Sequence, residues 1–186
     1  MIKKYEGYDT QTFGERKYYV PKGGYVMLIK SVENFEDKGY IKVSGDIAEG
    51  DYALFYTKKF NKNDSPNRFW DCYICISTNT WRFGKLVHDL KASNPGYVPD
   101  AGDSIDEKSF VRKYVGGLFI NYEYKDGKFR TKWKATCSVE QIHSGWYTDH
   151  MPKDESYRDK GHYSQPSGIA DFMKIDDGAA DELPFR

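Results

Sequence analysis

Leucine and alanine are scarce in this 186-residue chain, at six and eight residues, so it holds little of the material that favours helices. No apolar run comes near the ~20 residues of a membrane span, and the opening "MIKKYEGYDT" lacks the apolar segment of an export signal. A cytoplasmic location is expected. There is no P-loop, no G-x-S-x-G and no H-E-x-x-H, and the acids are spread over turns or gathered near the carboxyl end instead of clustering as metal ligands would. The chain is therefore not expected to be an enzyme, and no cofactor or metal is expected. Asp46 and Glu49 to Asp51 read as a turn cluster.

Cysteine is sparse and odd in number, three residues, as suits a reducing compartment. Cys72 and Cys75 form a C-x-x-C without a second pair. They fall in "FWDCYICIS", a strand pattern in which residues three apart point to opposite faces and cannot grip one ion.

Aromatics are abundant. Sixteen Tyr, eleven Phe and four Trp suit a pleated, half-buried surface, so a mainly β domain is expected. The zero net charge hides a segregation: from Ala170 onward Asp171, Asp176, Asp177, Asp181 and Glu182 outnumber Lys174 and Arg186, a net of minus three, which leaves residues 1–169 at plus three.

Residues 1–20 show no period and are read as an amino-terminal arm. The runs "GYVMLIKSV" (24–32) and "GYIKVSGDI" (39–47) pattern as two strands of a hairpin, "YALFYTKKF" (52–60) as a third strand and "FWDCYICIS" as a short addition. Phe83, Leu86, Val87 and Leu90 fall at i, i+3, i+4 and i+7 and define one helix, with Thr80 to cap it and Asn94-Pro95 to end it. His88 lies beside that stripe and is read as a surface residue. Asp126-Gly127 then signals a two-residue hairpin turn in "GLFINYEYKDGKFRTKWKATC" (117–137).

A two-residue turn would set Tyr124 opposite Phe129, Tyr122 opposite Thr131, Ile120 opposite Trp133 and Leu118 opposite Ala135 on an apolar face. The other face would carry Glu123, Asn121 and Phe119 with Arg130, Lys132 and Lys134, a basic ridge with one aromatic in it. From residue 144 the pattern dissolves into a polar stretch read as a flexible linker to the acidic end. The expected organisation is thus an arm (1–20), an OB-like five-stranded barrel with one helix between its third and fourth strands (21–143), and a disordered linker and acidic tail (144–186).

Single-stranded nucleic acid needs cations for its phosphates and flat rings for its bases. Lys42, Lys58, Lys59, Arg68, Arg130, Lys132 and Lys134, with Tyr40, Tyr56, Phe60, Trp70 and Phe119, are the candidates for such a surface. In any β domain, however, many aromatics belong to the core and many lysines to the solvated side of a strand.

The end of the chain, "IDDGAADELPFR", resembles the carboxyl-terminal tail of bacterial and phage single-stranded DNA-binding proteins, in which acids precede a small aliphatic residue, Pro and Phe. Asp176, Asp177, Asp181, Glu182, Leu183, Pro184 and Phe185 match it; Arg186 follows where that family usually stops. The resemblance implies a tip that docks on replication and recombination proteins, the phenylalanine anchoring and the acids steering. The body, with "VPKGGYVMLIKSVE", "DIAEGDY" and "SNPGY", is similar to small proteins of phages and prophages from Gram-positive bacteria, which would place it in the host cytoplasm. These likenesses imply a protein that coats single-stranded DNA during replication or recombination, with self-association left open. A phage structural protein and a carbohydrate-binding β module, neither with nucleic-acid affinity, stand as the other readings.

Overall fold

The computed structural model describes residues 19–125 and 127–158. Thirteen residues, Gly23–Phe35, form β1, which is long enough to serve two neighbours: its first half pairs antiparallel with β6 (Tyr114–Glu123) and its second half pairs with β2 (Tyr40–Ile47). A register shift between Ile29 and Ser31 bends the strand where one pairing gives way to the other. β2 pairs onward with β3 (Tyr73–Ser77), and β6 with β7 (Phe129–Cys137), so the antiparallel order is β3-β2-β1-β6-β7. The outer strands β3 and β7 curl towards each other. The sheet is thus mainly β as expected. A two-stranded ribbon, β4 (Asp100–Ala101) and β5 (Ser104–Ile105), stands apart from it.

Segment 52–60 is not a strand. It turns through residues 51–54 and forms α1 (Phe55–Asn61). Within α1 Tyr56 and Phe60 fall at i and i+4 on one helical face, which outweighs the β propensity of the single residues. The buried Asp46 fixes this helix from β2: its carboxylate accepts from the amides of Tyr56 and Thr57 (3.1 and 2.9 Å) and from the Thr57 hydroxyl. The expected turn cluster is therefore, at Asp46, a buried anchor. With α1 in that place, β3 is the third strand of the sheet.

The helix read from periodicity is α2 (Trp81–Ser93), with Leu86, Val87 and Leu90 buried and Asn94 ending it. Thr80 stands at its cap position, but the hydroxyl donates to the Ser77 carbonyl instead of capping. α2 is tied to β7 by Asp89, 2% exposed, which accepts from Lys85 Nζ (2.8 Å) and Thr136 Oγ1 (2.7 Å). His88 points outward.

The core is aromatic at its centre. Tyr25 meets Phe119 edge to face at 5.4 Å, Phe119 stacks on Trp133 at 6.4 Å, and Tyr56 closes on Phe119 from α1. Trp133 needs room, and glycine provides it: a Cβ on Gly117 would come within 3.0 Å of Trp133 Nε1 and 2.6 Å of Met27, and one on Gly45 within 3.2 Å of the Trp133 ring. Each such ring pair adds ~0.5–1.5 kcal/mol beyond the area it buries.

Residues 144–158 depart from the expected linker. Ser138 and Gln141 form a reciprocal capping box that starts α3 (Val139–His143); a 3-10 turn follows at Trp146–Asp149, and β8 (Glu155–Ser156) pairs parallel with β6. Ile142 and Tyr147 pack over Gly24 so closely that a Cβ there would lie 2.8 and 2.7 Å from them. The expected boundary at 144 is thus corrected: the chain covers the sheet as far as Arg158. The arm, apart from Tyr19 and Val20, and the acidic tail lie outside the described residues. Among the described residues, no helix is long and apolar enough to cross a membrane.

Candidate nucleic-acid interface

The β6–β7 hairpin decides which side chains share a face. Gly127 adopts the left-handed conformation (φ 72°), its amide bonds to the Tyr124 carbonyl, and the Tyr124 amide bonds to the Lys128 carbonyl. Tyr124 is therefore paired with Lys128, with three residues between them in the chain, where the sequence suggested a two-residue turn. One extra loop residue slips the register by one: Glu123 faces Phe129, Tyr122 faces Arg130, Ile120 faces Lys132 and Phe119 faces Trp133. A bulge between Leu118 and Phe119 restores the expected Leu118–Ala135 pair.

The slip exchanges faces, as a one-residue shift must. Phe119, assigned to the basic ridge, is fully buried against Trp133. Tyr122 and Tyr124, assigned to the apolar side, join the cations. Arg130 lies 4.6 Å from the centre of the Tyr124 ring and Lys132 3.9 Å from that of Tyr122. Burial, partly offset by Arg130, raises the Tyr124 hydroxyl above its ordinary pKa.

On β3, Ile74 and Ile76 face inward, while Tyr73, Cys75 and Ser77 are exposed. Their partners on β2 place Lys42 beside Cys75 and Tyr40 beside Ser77. Lys42 lies 5.3 Å from the centre of the Tyr73 ring and pairs with Glu33 at 3.0 Å. Tyr40 stacks on Phe35 at 4.8 Å, with Lys38 over that ring. From Tyr40 to the level of Tyr73 the face runs four residues of strand, roughly 13 Å at ~3.3 Å per residue.

A second cluster sits on α1. Phe60 lies between Trp70 (5.5 Å) and the Arg68 guanidinium (4.5 Å); Trp70 Nε1 donates to the Gly45 carbonyl, Lys59 pairs with Asp71, and Lys58 donates to the Ala53 carbonyl. Tyr56, grouped with these residues in the sequence, is buried, and burial drives its hydroxyl far above the usual range. Tyr56 and Phe119 are thus core residues, which corrects their assignment to the surface.

Two of the three ridge cations are held by one acid, while Arg130 is exposed. Glu155 pairs with Lys132 (2.7 Å) and with Lys134, and Asp154 with Lys22 (2.9 Å). Partial burial of Glu155 pushes its carboxyl up, but hydrogen bonds and attraction from the two lysines outweigh this and bring its pKa down to about 2. Tyr73, Tyr122 and Tyr124 were absent from the sequence candidates. The signal for Tyr73 was its alternation with Ile74 and Ile76; the other two depended on the loop length.

The cysteines have separate settings. Cys72 is buried, and burial raises its thiol well above the usual range; Cys75 is exposed on β3. Among the described residues, no three His, Cys, Asp or Glu side chains gather closely enough to hold a metal ion. No family model matches the chain, and no curated protein matches it.

Proposed function

We propose that this is a single-stranded DNA-binding protein with little sequence preference, of phage type, built on an OB-like barrel. One observation carries the reading: cations lie over aromatic rings on the β2–β3 face and on the neighbouring hairpin, as Lys42 on the exposed Tyr73 and Arg130 and Lys132 on the half-buried Tyr124 and Tyr122. Such pairs offer a base a ring and its phosphate a charge at the same spot.

The strand order supports the fold part of the proposal. An OB barrel opened between its third and fifth strands reads third, second, first, fourth, fifth. That is the order here, with α2 between the third and fourth long strands and the two edges curling together. Oligonucleotides on OB folds lie across strands two and three, flanked by the loop after strand one and the loop between strands four and five. Those regions correspond here to β2–β3, the Phe35–Tyr40 turn and the β6–β7 connection.

The acidic tail, Asp176 to Phe185, is proposed to recruit replication or recombination proteins, the whole acting in the cytoplasm without catalysis. Fluorescence anisotropy with labelled oligo-dT at low salt tests the reading. Binding that exceeds that to duplex DNA supports it. Failure to bind, or equal retention on starch-like polymers, overturns it and favours the structural or carbohydrate-binding alternatives.

A further inference from the structure

Where β3 and β7 come together no hydrogen-bonded ladder joins them, and a cleft of about 240 Å³ opens in the seam. Ile74, Ile76 and Ala135 give it an apolar lining, Trp81 stands in its wall at the start of α2, and Arg82 and Lys134 bring charge to it. Trp81 is 72% exposed. A lone exposed ring is ordinary, but one set against an apolar recess offers a stacking surface with a lining beneath it.

Size and charge narrow the occupant. Pockets for drug-sized ligands run from about 300 to 1,000 Å³, so this one suits a single flat ring. No acid is among the described residues that line it, and of its cations Lys85 is paired with Asp89 and Lys134 with Glu155. The Arg82 guanidinium lies 5.9 Å from the Trp81 ring centre and forms no ion pair with a described acid, which leaves the rim positive. Position narrows it further. Cys75 belongs to both the cleft and the exposed face of β3, and Lys134 to both the cleft and the basic ridge, so the cleft lies on the path between the two surfaces described above.

We propose that the seam cleft is a subsite for one nucleotide of a bound single strand, its base stacked on Trp81 and its phosphate held by Arg82. The proposal rests on the single-strand reading and adds a residue to it that lies on neither of the two surfaces. The recess lets one base turn in from the strand instead of lying flat on the face.

Two measurements on the full chain test it. Oligo-dT carrying 5-iodouracil is expected to photo-crosslink to the peptide containing Trp81. Trp81→Ala is expected to weaken oligo-dT binding about ten-fold, with Trp81→Phe keeping most of the affinity, as stacking without sequence readout requires. The urea midpoint should stay unchanged, because the ring is in solvent. Undiminished affinity in Trp81→Ala, or crosslinks confined to Tyr73 and Tyr124, would overturn the subsite while leaving the single-strand reading intact. If the unaltered chain binds no oligonucleotide, both readings fail together. An Asp-Glu-Leu-Pro-Phe peptide that quenches Trp81 fluorescence where oligo-dT does not would assign the cleft to a protein ligand and overturn the proposal.

Discussion

The β2–β3 face and the β7 ridge carry the same chemistry in different states. On the face, Lys42 is paired with the half-exposed Glu33 and lies over Tyr73, which is 43% exposed. On the ridge, Lys132 and Lys134 are held by one partly buried carboxylate, Glu155, presented by a two-residue strand that follows the hairpin in sequence. Both surfaces thus hold lysines in ion pairs, but the acid on the face is half-exposed and serves one lysine, whereas the acid on the ridge is more buried and serves two. A count of lysines treats them alike; what separates them is where the next acidic segment lies.

The largest effect is expected where a supposed surface ring is in fact core. Phe119→Ala should cost about 3–5 kcal/mol of stability in urea unfolding, because it empties the centre of the Tyr25–Phe119–Trp133 cluster. A change in DNA affinity at unchanged stability would return Phe119 to the surface. Next, the β2–β3 face is tested by Tyr73→Ala, which should weaken oligo-dT binding about ten-fold at an unaltered urea midpoint. An unchanged affinity would leave that face as a solvated strand surface.

The ridge responds in the opposite direction. Glu155→Gln should strengthen oligo-dT binding about two- to five-fold and steepen its salt dependence, since two lysines lose their internal counter-charge. Weaker binding would mean that Glu155 organises the ridge for DNA and does not compete with it. The smallest effect is on pH. Glu155 has its pKa lowered to about 2 from 4.5, so its ion pairs stabilise the docked β8 fully above pH ~4.5, and that contribution is lost as pH falls towards 2. Amide exchange at Ser156 and Tyr157 should quicken over that window, and Glu155→Gln should remove the dependence.

Legibility in the sequence followed the strength of local periodicity. β1, β2 and α2 were visible because their apolar spacing admits one answer. The 52–60 segment misled because Tyr, Phe and Thr favour strands one by one, whereas the Tyr56–Phe60 spacing is helical and the anchor for that helix, Asp46, comes from a strand. The hairpin was legible as a hairpin, yet its faces were not: a single loop residue moved Phe119 inward and brought Tyr122 and Tyr124 beside Arg130 and Lys132. The Ser138–Gln141 capping box was readable and marks the start of a structured cover that continues to β8. Beyond it, low hydrophobicity looked like a linker because β8 is held by charge and two residues of pairing, which leave no apolar pattern.

The most direct measurement is the slope of log Kobs against log salt for oligo-dT, taken for the unaltered chain and for a Lys42→Glu/Arg130→Glu variant. Counterion release from single strands contributes about 0.7 per phosphate neutralised, so the unaltered chain should show a steep negative slope and the double variant a slope shallower by about 1.4. Identical slopes, or no binding by the unaltered chain at the lowest salt, would contradict a cation-and-ring surface for single-stranded DNA.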